Sequence, residues 1–345
     1  MSTAKEVALA LKKKFGEQIG GQGAKFPAVD RVPTGFFSID LTTGGGIPRG
    51  CVTIIFGPEG CGKTTLALKT IAEYQKRWPE DTCALFDIEN QFDPAWAAVL
   101  GVDVDKLHVY KPDYAEQAVD MIETFLYADD CGMVIIDSLA ALVTVKEVEE
   151  SAEKDLPGAQ ARVVKKLVLK TNTAMTVQRK SGRMPTLIYI NQIRYQIGVM
   201  YGNPEKMPGG MAPKYQSSMT MRLWGKRLMD KSVSAIMPAR LKIDCVLQKW
   251  RVKVLGNAAQ AEMIMVPHKG LEVGQVDDWK VVEGYLREYG YLGKGGKKGW
   301  VMFEQEYDTL GDCREALVSD PASMDQARGM ILDAMFKDDG KSLTS

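Results

Sequence analysis

The chain has 345 residues, of which 45% are hydrophobic and 26% are charged, a composition that excludes collagen-like and mainly disordered proteins. Its 44 Lys and Arg residues balance its 44 Asp and Glu residues, so any nucleic-acid surface must be local. The two histidines and six scattered cysteines, with no C-x-x-C pair, indicate neither a zinc site nor a His-based triad, and we expect reduced thiols in a cytoplasmic protein. We expect no membrane span, because no apolar run reaches the length that crosses a bilayer. We expect no signal peptide, because the N-terminal charges lie among the apolar residues rather than ahead of them.

The N-terminal segment has the pattern of a helix with one apolar face. Val7, Leu11 and Phe15 recur every four residues and form a narrow stripe. A glycine-rich break at 20–23 separates this helix from the rest of the chain. The stripe needs a partner surface, which is either the chain's own core or a neighbouring subunit.

From about residue 50, strand patterns alternate with helical patterns. The short apolar runs lie at 52–56, 84–86, 107–110, 133–136 and 187–190. This alternation predicts an α/β fold with a mainly parallel central sheet. Three later apolar runs, at 219–224, 241–247 and 262–266, lack long helices between them, and we expect them to add antiparallel strands at one edge.

The core is predicted to end near Pro267. Beyond it, 279–289 and 323–336 have helical patterns, and 293–299 is predicted to be a loop. This part of the chain is therefore interpreted as a small α+β domain.

A phosphate-binding motif follows the first strand of the alternation. It fits G-x-x-x-x-G-K-[ST] and runs Gly57, Pro58, Glu59, Gly60, Cys61, Gly62, Lys63, Thr64, with Thr65 opening the helical stretch behind it. In this strand-loop-helix context, backbone N–H groups surround phosphate oxygens and Lys63 reaches the terminal phosphates. The Thr64 hydroxyl is a predicted Mg²⁺ ligand.

Two strand-end carboxylates complete the predicted chemistry. Asp137 ends the apolar run at 133–136 and is predicted to hold a Mg²⁺-bound water, although a strand-end Asp also caps turns. Glu89 follows the run at 84–86. We expect the end of that strand to lie beside the strand that precedes the phosphate-binding motif, where Glu89 would polarise a water for in-line attack on the γ-phosphate. The chain has no segment typical of the Arg-rich lid of a nucleoside kinase.

Two residues after Glu89 are candidates for the base pocket. Trp96 offers an aromatic face for adenine and Asp93 an acceptor for its amino group. Alternatively, Asp93 begins a helix and Trp96 packs in the core.

At this point the motifs resemble those of the bacterial RecA recombinase family. The matching strings are 57–65, 86–89, 136–142, 190–194, 197–205, and the shorter 33–35 and 38–40. The most family-specific of them is 190–205. The resemblance covers about 1–266 well and the remaining residues weakly.

The resemblance implies a RecA-like P-loop NTPase core at 33–267, an N-terminal oligomerisation helix and linker at 1–32, and a small C-terminal domain at 268–345. It implies that Glu89 is the hydrolytic base and that Gln192 senses the γ-phosphate and links ATP to the following loop. Late-strand cations of the family, which reach ATP on the neighbouring protomer, match Lys249 and Arg251, or Arg251 and Lys253 in a shifted alignment.

Two segments, near 153–162 and 194–211, resemble the family's DNA-binding loops. Their candidate contacts, with Lys214 just beyond them, are Arg162, Arg194, Met200, Tyr201, Gly209, Gly210 and Lys214. Pro157 and Met211 depart from the family pattern. A solvated helix face and a mobile loop are the alternative interpretation.

In the C-terminal domain, Lys294, Lys297 and Lys298 form a basic glycine-rich loop. This loop is a candidate for binding duplex DNA by neutralising phosphates, although a plain hairpin turn is an alternative interpretation.

The resulting hypothesis is a recombinase that uses ATP and Mg²⁺, forms helical filaments on single-stranded DNA and exchanges strands with homologous duplex DNA. Partners would be both DNA forms and further copies of the chain, with no membrane. The alternatives are a RecA-core hexameric helicase or related motor, and a non-enzymatic DNA-coating protein.

Overall fold

The computed structural model describes residues 3–15, 29–149, 158–195, 205–297 and 299–341. Its first element is helix α1, Ala4–Phe15. Val7, Leu9 and Leu11 of this helix are 45%, 74% and 48% exposed, so its apolar face is not buried against the described core. Residues 16–28, the greater part of the predicted linker, lie outside the described residues.

The core elements alternate as predicted. In chain order they are β1 Arg31–Val32, α2 Phe37–Thr43, β2 Ile47–Pro48, β3 Val52–Gly57, α3 Lys63–Arg77, β4 Thr82–Asp87, α4 Pro94–Val99, β5 Leu107–Tyr110, α5 Ala115–Leu126, β6 Cys131–Asp137, α6 Val145–Glu149, α7 Ala159–Lys180, β7 Thr186–Gln192, β8 Arg194–Tyr195, β9 Glu205–Lys206, α8 Ala212–Gln216, β10 Met219–Leu228, β11 Arg240–Trp250 and β12 Ala258–Ile264.

Eight strands form the central sheet, in the order β12-β11-β10-β3-β7-β6-β4-β5. The α/β class and the mainly parallel sheet are confirmed, and β11 and β12 are antiparallel as predicted. Two predictions were wrong. The strand at 219–224 pairs parallel to β3 and only its far side faces an antiparallel neighbour. In addition, β4 does not lie beside β3, because the crossover through α3 skips the two positions that β6 and β7 later fill.

Both faces of the central strands are buried, which explains their continuous apolar runs. Along β3, Ile55 points into the apolar cluster on the α3 side, whereas Ile54 and Phe56 point into the cluster covered by α5 and α7. This alternation follows the two-residue period of a strand and fixes which side chains reach each face.

The C-terminal elements are α9 Trp279–Glu288, β13 Leu292–Gly295, β14 Gly299–Met302, β15 Gln305–Tyr307, α10 Leu310–Val318 and α11 Pro321–Lys341. They surround a third apolar cluster that also takes Phe37 and Leu41 from α2. The predicted loop at 293–299 is instead largely a hairpin, because β13 and β14 pair with each other and Gly296, with φ of 71°, allows the tight turn between them. The predicted boundary at Pro267 falls between β12 and α9.

All six cysteines carry free thiols. Within the described ranges, every helix is too short or too polar to cross a membrane.

Candidate active site

The phosphate-binding loop joins the end of β3 to the start of α3. Gly60 and Gly62 adopt φ of 69° and 92°, which side-chain-bearing residues rarely reach. Lys63 begins α3 and is buried, and its Nζ donates hydrogen bonds to the carbonyls of Pro58 at 2.7 Å and Gly57 at 3.2 Å. The loop is therefore closed on itself by its own lysine.

A glycine on β10 lets the loop pack against the sheet. A Cβ atom at Gly225 would lie 2.5 Å from Cα of Cys61, closer than real contacts allow. Sequence reasoning missed Gly225, although an isolated glycine inside a strand pattern is a recognised sign of close backbone approach.

Thr64 and Asp137 meet at the carboxyl edge of the sheet. The Thr64 hydroxyl donates to Oδ2 of Asp137 at 2.6 Å. Burial raises the pKa of Asp137 to about 6, against the opposing effect of that hydrogen bond. A hydroxyl and a carboxylate in contact at the end of a phosphate-binding loop are the hard oxygen donors that suit Mg²⁺, so these residues fit the predicted metal role.

Glu89 lies just beyond β4 and contacts two other strand ends. Its Oε1 accepts hydrogen bonds from the Ser138 hydroxyl at 2.5 Å and from Nε2 of Gln192 at 2.8 Å. Although β6 and β7 separate β4 from β3, the three parallel strands end at one edge, and this brings Glu89 to the cleft. Gln192, the predicted γ-phosphate sensor, thus touches the predicted base directly. Sequence reasoning did not identify Ser138.

These residues line a cleft of about 430 Å³. Its wall includes Glu59, Gly60, Gly62, Lys63, Thr64, Thr65, Glu89, Asp137 and Gln192, with Gln91, Trp96, Arg227, Leu241, Met263 and Met265. Trp96 lines the cleft, as the base-pocket hypothesis requires, and it also packs against the apolar cluster on the α3 side, as the alternative requires. Asp93 instead acts as the N-cap of α4, where its Oδ1 accepts from the backbone N–H groups of Ala95 and Trp96.

Lys249 and Arg251, the predicted in-trans cations, converge at the end of α8. Both donate to the carbonyl of Tyr215, at 3.0 and 2.8 Å, and Lys249 also donates to the carbonyl of Lys214. Burial and the neighbouring guanidinium of Arg251 lower the pKa of Lys249. Lys253, the alternative partner, contributes its carbonyl to a hydrogen bond from Arg31.

The predicted contacts of the two DNA-binding loops that are described lie on α7, β8 and α8 and on the segment just before α8. Arg162 is exposed on α7 and Arg194 is exposed on β8. Gly209 is buried, and a Cβ there would lie 3.1 Å from Val164 of α7, so the end of the second loop packs on the helix that follows the first. Gly210 is exposed, and Lys214 lies on α8.

In the C-terminal hairpin, Lys294 and Lys297 are exposed. Residues 153–157, Met200, Tyr201 and Lys298 lie outside the described residues.

Comparisons with known proteins agree with this geometry. The family model described as RecA N-terminal domain matches residues 4–270. The chain is 35% identical to the protein RecA of Roseiflexus castenholzii, over 92% of each chain. It is 36% identical to protein RecA of Deinococcus radiodurans, over 86% of this chain and 82% of the relative, and 44% identical to that of Aquifex pyrophilus, over 66% and 64%. The resemblance inferred from the motifs is confirmed, and the chain belongs to the RecA family of nucleotide-binding P-loop recombinases, which are DNA-dependent ATPases.

Proposed function

We propose that the chain uses ATP and Mg²⁺ to form a filament on single-stranded DNA, pairs that DNA with a homologous duplex and exchanges strands. The observation that carries this proposal is the hydrogen bond between Gln192 and Glu89. Gln192 ends β7, and the second predicted DNA loop begins two residues later, so one side chain joins the hydrolytic residue to the DNA-binding segment.

Six residues in or beside the cleft then have definite roles in hydrolysis. Lys63 binds the terminal phosphates, and Thr64 and Asp137 hold Mg²⁺, which when bound offsets phosphate charge. Glu89 accepts a proton from the attacking water, with Ser138 fixing the position of its Oε1. Gln192 donates its amide to the γ-phosphate or to that water, and in doing so changes its contact with Glu89.

Assembly uses two surfaces of the chain. The exposed stripe of α1 packs on an adjacent protomer, an open head-to-tail contact that produces filaments. Lys249 and Arg251 reach the nucleotide of a neighbouring protomer, where paired cations stabilise developing phosphate charge. The free thiols accord with a cytoplasmic location.

The DNA contacts follow from the same arrangement. Arg162 and Arg194, with Lys214, neutralise phosphates of single-stranded DNA, and Lys294 and Lys297 attract duplex DNA. Sequence matching comes from base pairing, so backbone contacts suffice. DNA affinity is therefore expected to fall steeply with salt.

Strand exchange between circular single-stranded and linear duplex DNA tests this function. We expect exchange with ATP and none without it, and loss of both exchange and ATP-dependent filaments in Lys63→Ala. Lys76→Ala is the matched control, because Lys76 lies on the same helix with a largely exposed side chain. Unwinding of a forked duplex without exchange would indicate a motor instead, and unchanged filaments in Lys63→Ala would contradict the coupling to ATP.

A further inference from the structure

The second predicted DNA loop returns to the core through residues 205–208, here called the returning arm. Glu205 begins this arm on β9 and pairs with Tyr195 on β8, just after the loop departs from β7. Pro208 ends the arm, immediately before Gly209. The position of the arm therefore fixes one end of the loop.

The two strands that flank β3 each place one side chain in register with the last residue before the phosphate-binding loop. Phe56, the residue before Gly57, is paired in register with Asn191 of β7 and with Arg222 of β10. Residues that are opposite each other on neighbouring strands project to the same face. Phe56 belongs to the cluster covered by α5 and α7, so Asn191 and Arg222 flank it on that face.

Both flanking side chains hold the returning arm. Nη2 of Arg222 donates to Oε1 of Glu205, in an ion pair whose side chains are only 15% and 16% exposed. The guanidinium carbon of Arg222 lies 3.9 Å from the ring centroid of Trp224, which fixes the plane of the guanidinium. At the other end of the arm, Nδ2 of Asn191 donates to the carbonyl of Pro208 at 2.9 Å.

The arm also contacts the core between Glu205 and Pro208. Met207 packs against the apolar cluster that contains Phe56. The Oδ1 atom of Asn191 accepts from the backbone N–H of Gln192 at 3.0 Å, so one amide side chain contacts both the predicted sensor and the arm. The arm is thus attached to β7 and β10, the two strands that flank the strand from which the phosphate-binding loop starts.

We propose that Arg222 and Asn191 form a two-point clamp across Phe56, and that Arg222 is a positioning residue for DNA-dependent hydrolysis. This inference rests on the proposed DNA-binding role of the second loop. A clamped arm orders one end of the loop before DNA arrives, which lowers the entropy cost of binding. Loss of Arg222 removes one of the contacts that hold Glu205, which loosens the arm without touching the phosphate-binding residues.

Arg222→Gln, Arg222→Lys and Glu205→Gln test the clamp in the full chain. The matched control is Arg240→Gln, since Arg240 forms a comparable Arg–Glu pair with Glu262 between β11 and β12, with side chains 26% and 29% exposed. In the protein without nucleotide or DNA, we expect backbone amides at 205–210 to exchange hydrogen at least tenfold faster in Arg222→Gln and Glu205→Gln, but not in Arg240→Gln. Arg222→Lys keeps the charge but loses the planar stack, so an intermediate effect is expected.

Hydrolysis gives the second measurement. We expect the single-stranded DNA concentration for half-maximal ATP hydrolysis to rise about tenfold in Arg222→Gln, with the maximal rate within twofold of the parent. In the exchanged pair Arg222→Glu with Glu205→Arg, the half-maximal DNA concentration should be at least threefold lower than in Arg222→Gln, because the ion pair returns without the Trp224 stack.

The two measurements separate the clamp from the proposed function. Unchanged hydrogen exchange at 205–210 in both Arg222→Gln and Glu205→Gln would overturn the clamp, as would a fall in maximal rate with no change in the half-saturating DNA concentration. A parent protein without DNA-stimulated hydrolysis would contradict the proposed function, and the exchange measurement would still decide whether the arm is clamped.

Discussion

At the scale of single residues, Oε1 of Glu89 is the atom at which side chains from two other strand ends meet. It accepts from Ser138 and from Gln192, which end or follow different strands. A general base must be held at a fixed distance from its water, and two donors on one oxygen restrict the rotation of the carboxylate. Ser138 is therefore expected to matter for the rate more than for nucleotide affinity.

Ser138→Ala tests this expectation. We expect the maximal rate of DNA-dependent ATP hydrolysis to fall about tenfold, because Glu89 loses one of its two fixed contacts. The affinity for a fluorescent ATP analogue should stay within twofold, since Ser138 is not among the residues that line the cleft.

Ser138→Thr is the control, because it keeps the hydroxyl. An equal loss of rate in both variants would show that packing around β6, rather than the hydrogen bond, sets the effect.

The motif predicted the positions of Lys63 and Thr64 because the backbone of a strand, loop and helix fixes their spacing. Asp137 and Glu89 were predictable because each ends or follows an apolar strand. The partners of those residues were not predictable in the same way. The contact of Ser138 with Glu89 joins positions 49 residues apart, and it depends on strand order rather than on local pattern. The capping of α4 by Asp93 was one of two alternatives that a single sequence cannot separate.

At the scale of elements, β10 connects the phosphate-binding loop to the returning arm of the second predicted DNA loop. It pairs parallel to β3 on one side and antiparallel to β11 on the other. Its apolar pattern predicted a strand. The direction of a strand depends on the route that the preceding chain takes through the fold, and an apolar pattern contains no information about that route. The same strand supplies Gly225, against which Cys61 packs, and Arg222, which contacts the returning arm.

Gly225→Ala tests the contact between β10 and the loop. The added methyl would overlap the backbone of Cys61, so we expect the loop to shift and the affinity for the ATP analogue to fall at least tenfold. Gly284→Ala is a matched control, because a Cβ at Gly284 meets nothing within 4 Å. Unchanged nucleotide affinity in Gly225→Ala would show that the loop tolerates displacement.

At the scale of the whole molecule, a buried ion pair joins two C-terminal helices, α9 and α11, beside the core helix α2. Oδ2 of Asp278 accepts from Nη2 of Arg328 on α11 at 2.7 Å, and the Asp278 side chain is 2% exposed. Burial raises the pKa of Asp278 from its usual 3.8 to about 6, while Arg328 acts in the opposite direction. The guanidinium carbon of Arg328 also lies 5.8 Å from the ring centroid of Phe37 on α2. The sequence predicted separate core and C-terminal units from their patterns, but neither the ion pair nor this contact with the core, because both depend on tertiary packing alone.

Arg328→Gln tests the contribution of this pair and its pH dependence. Because the folded-state pKa of Asp278 is raised, its burial favours folding at low pH, and that advantage is lost as pH rises from about 4 to about 6. At pH 8 the buried carboxylate is charged, so losing Arg328 should lower the free energy of unfolding by about 3 kcal/mol. At pH 4.5 Asp278 is protonated in the folded protein, and the loss should be smaller.

Urea unfolding at the two pH values measures the difference. Arg287→Gln, which removes a half-exposed pair with Glu283 within α9, is the control and should change stability little at either pH. An equal loss in Arg328→Gln at both pH values would contradict the role given to the charge of Asp278.

The hydrogen bonds of Lys63 to its own loop have a calorimetric consequence. Its ammonium already donates to the carbonyls of Gly57 and Pro58, so a phosphate reaches it by replacing these acceptors rather than by satisfying free donors. Nucleotide binding at this lysine is thus an exchange of partners, and its net enthalpy is the small difference between two sets of hydrogen bonds. The loop carbonyls released in the exchange turn to water, so much of the affinity must come from the backbone N–H groups and the predicted metal ligands around the lysine.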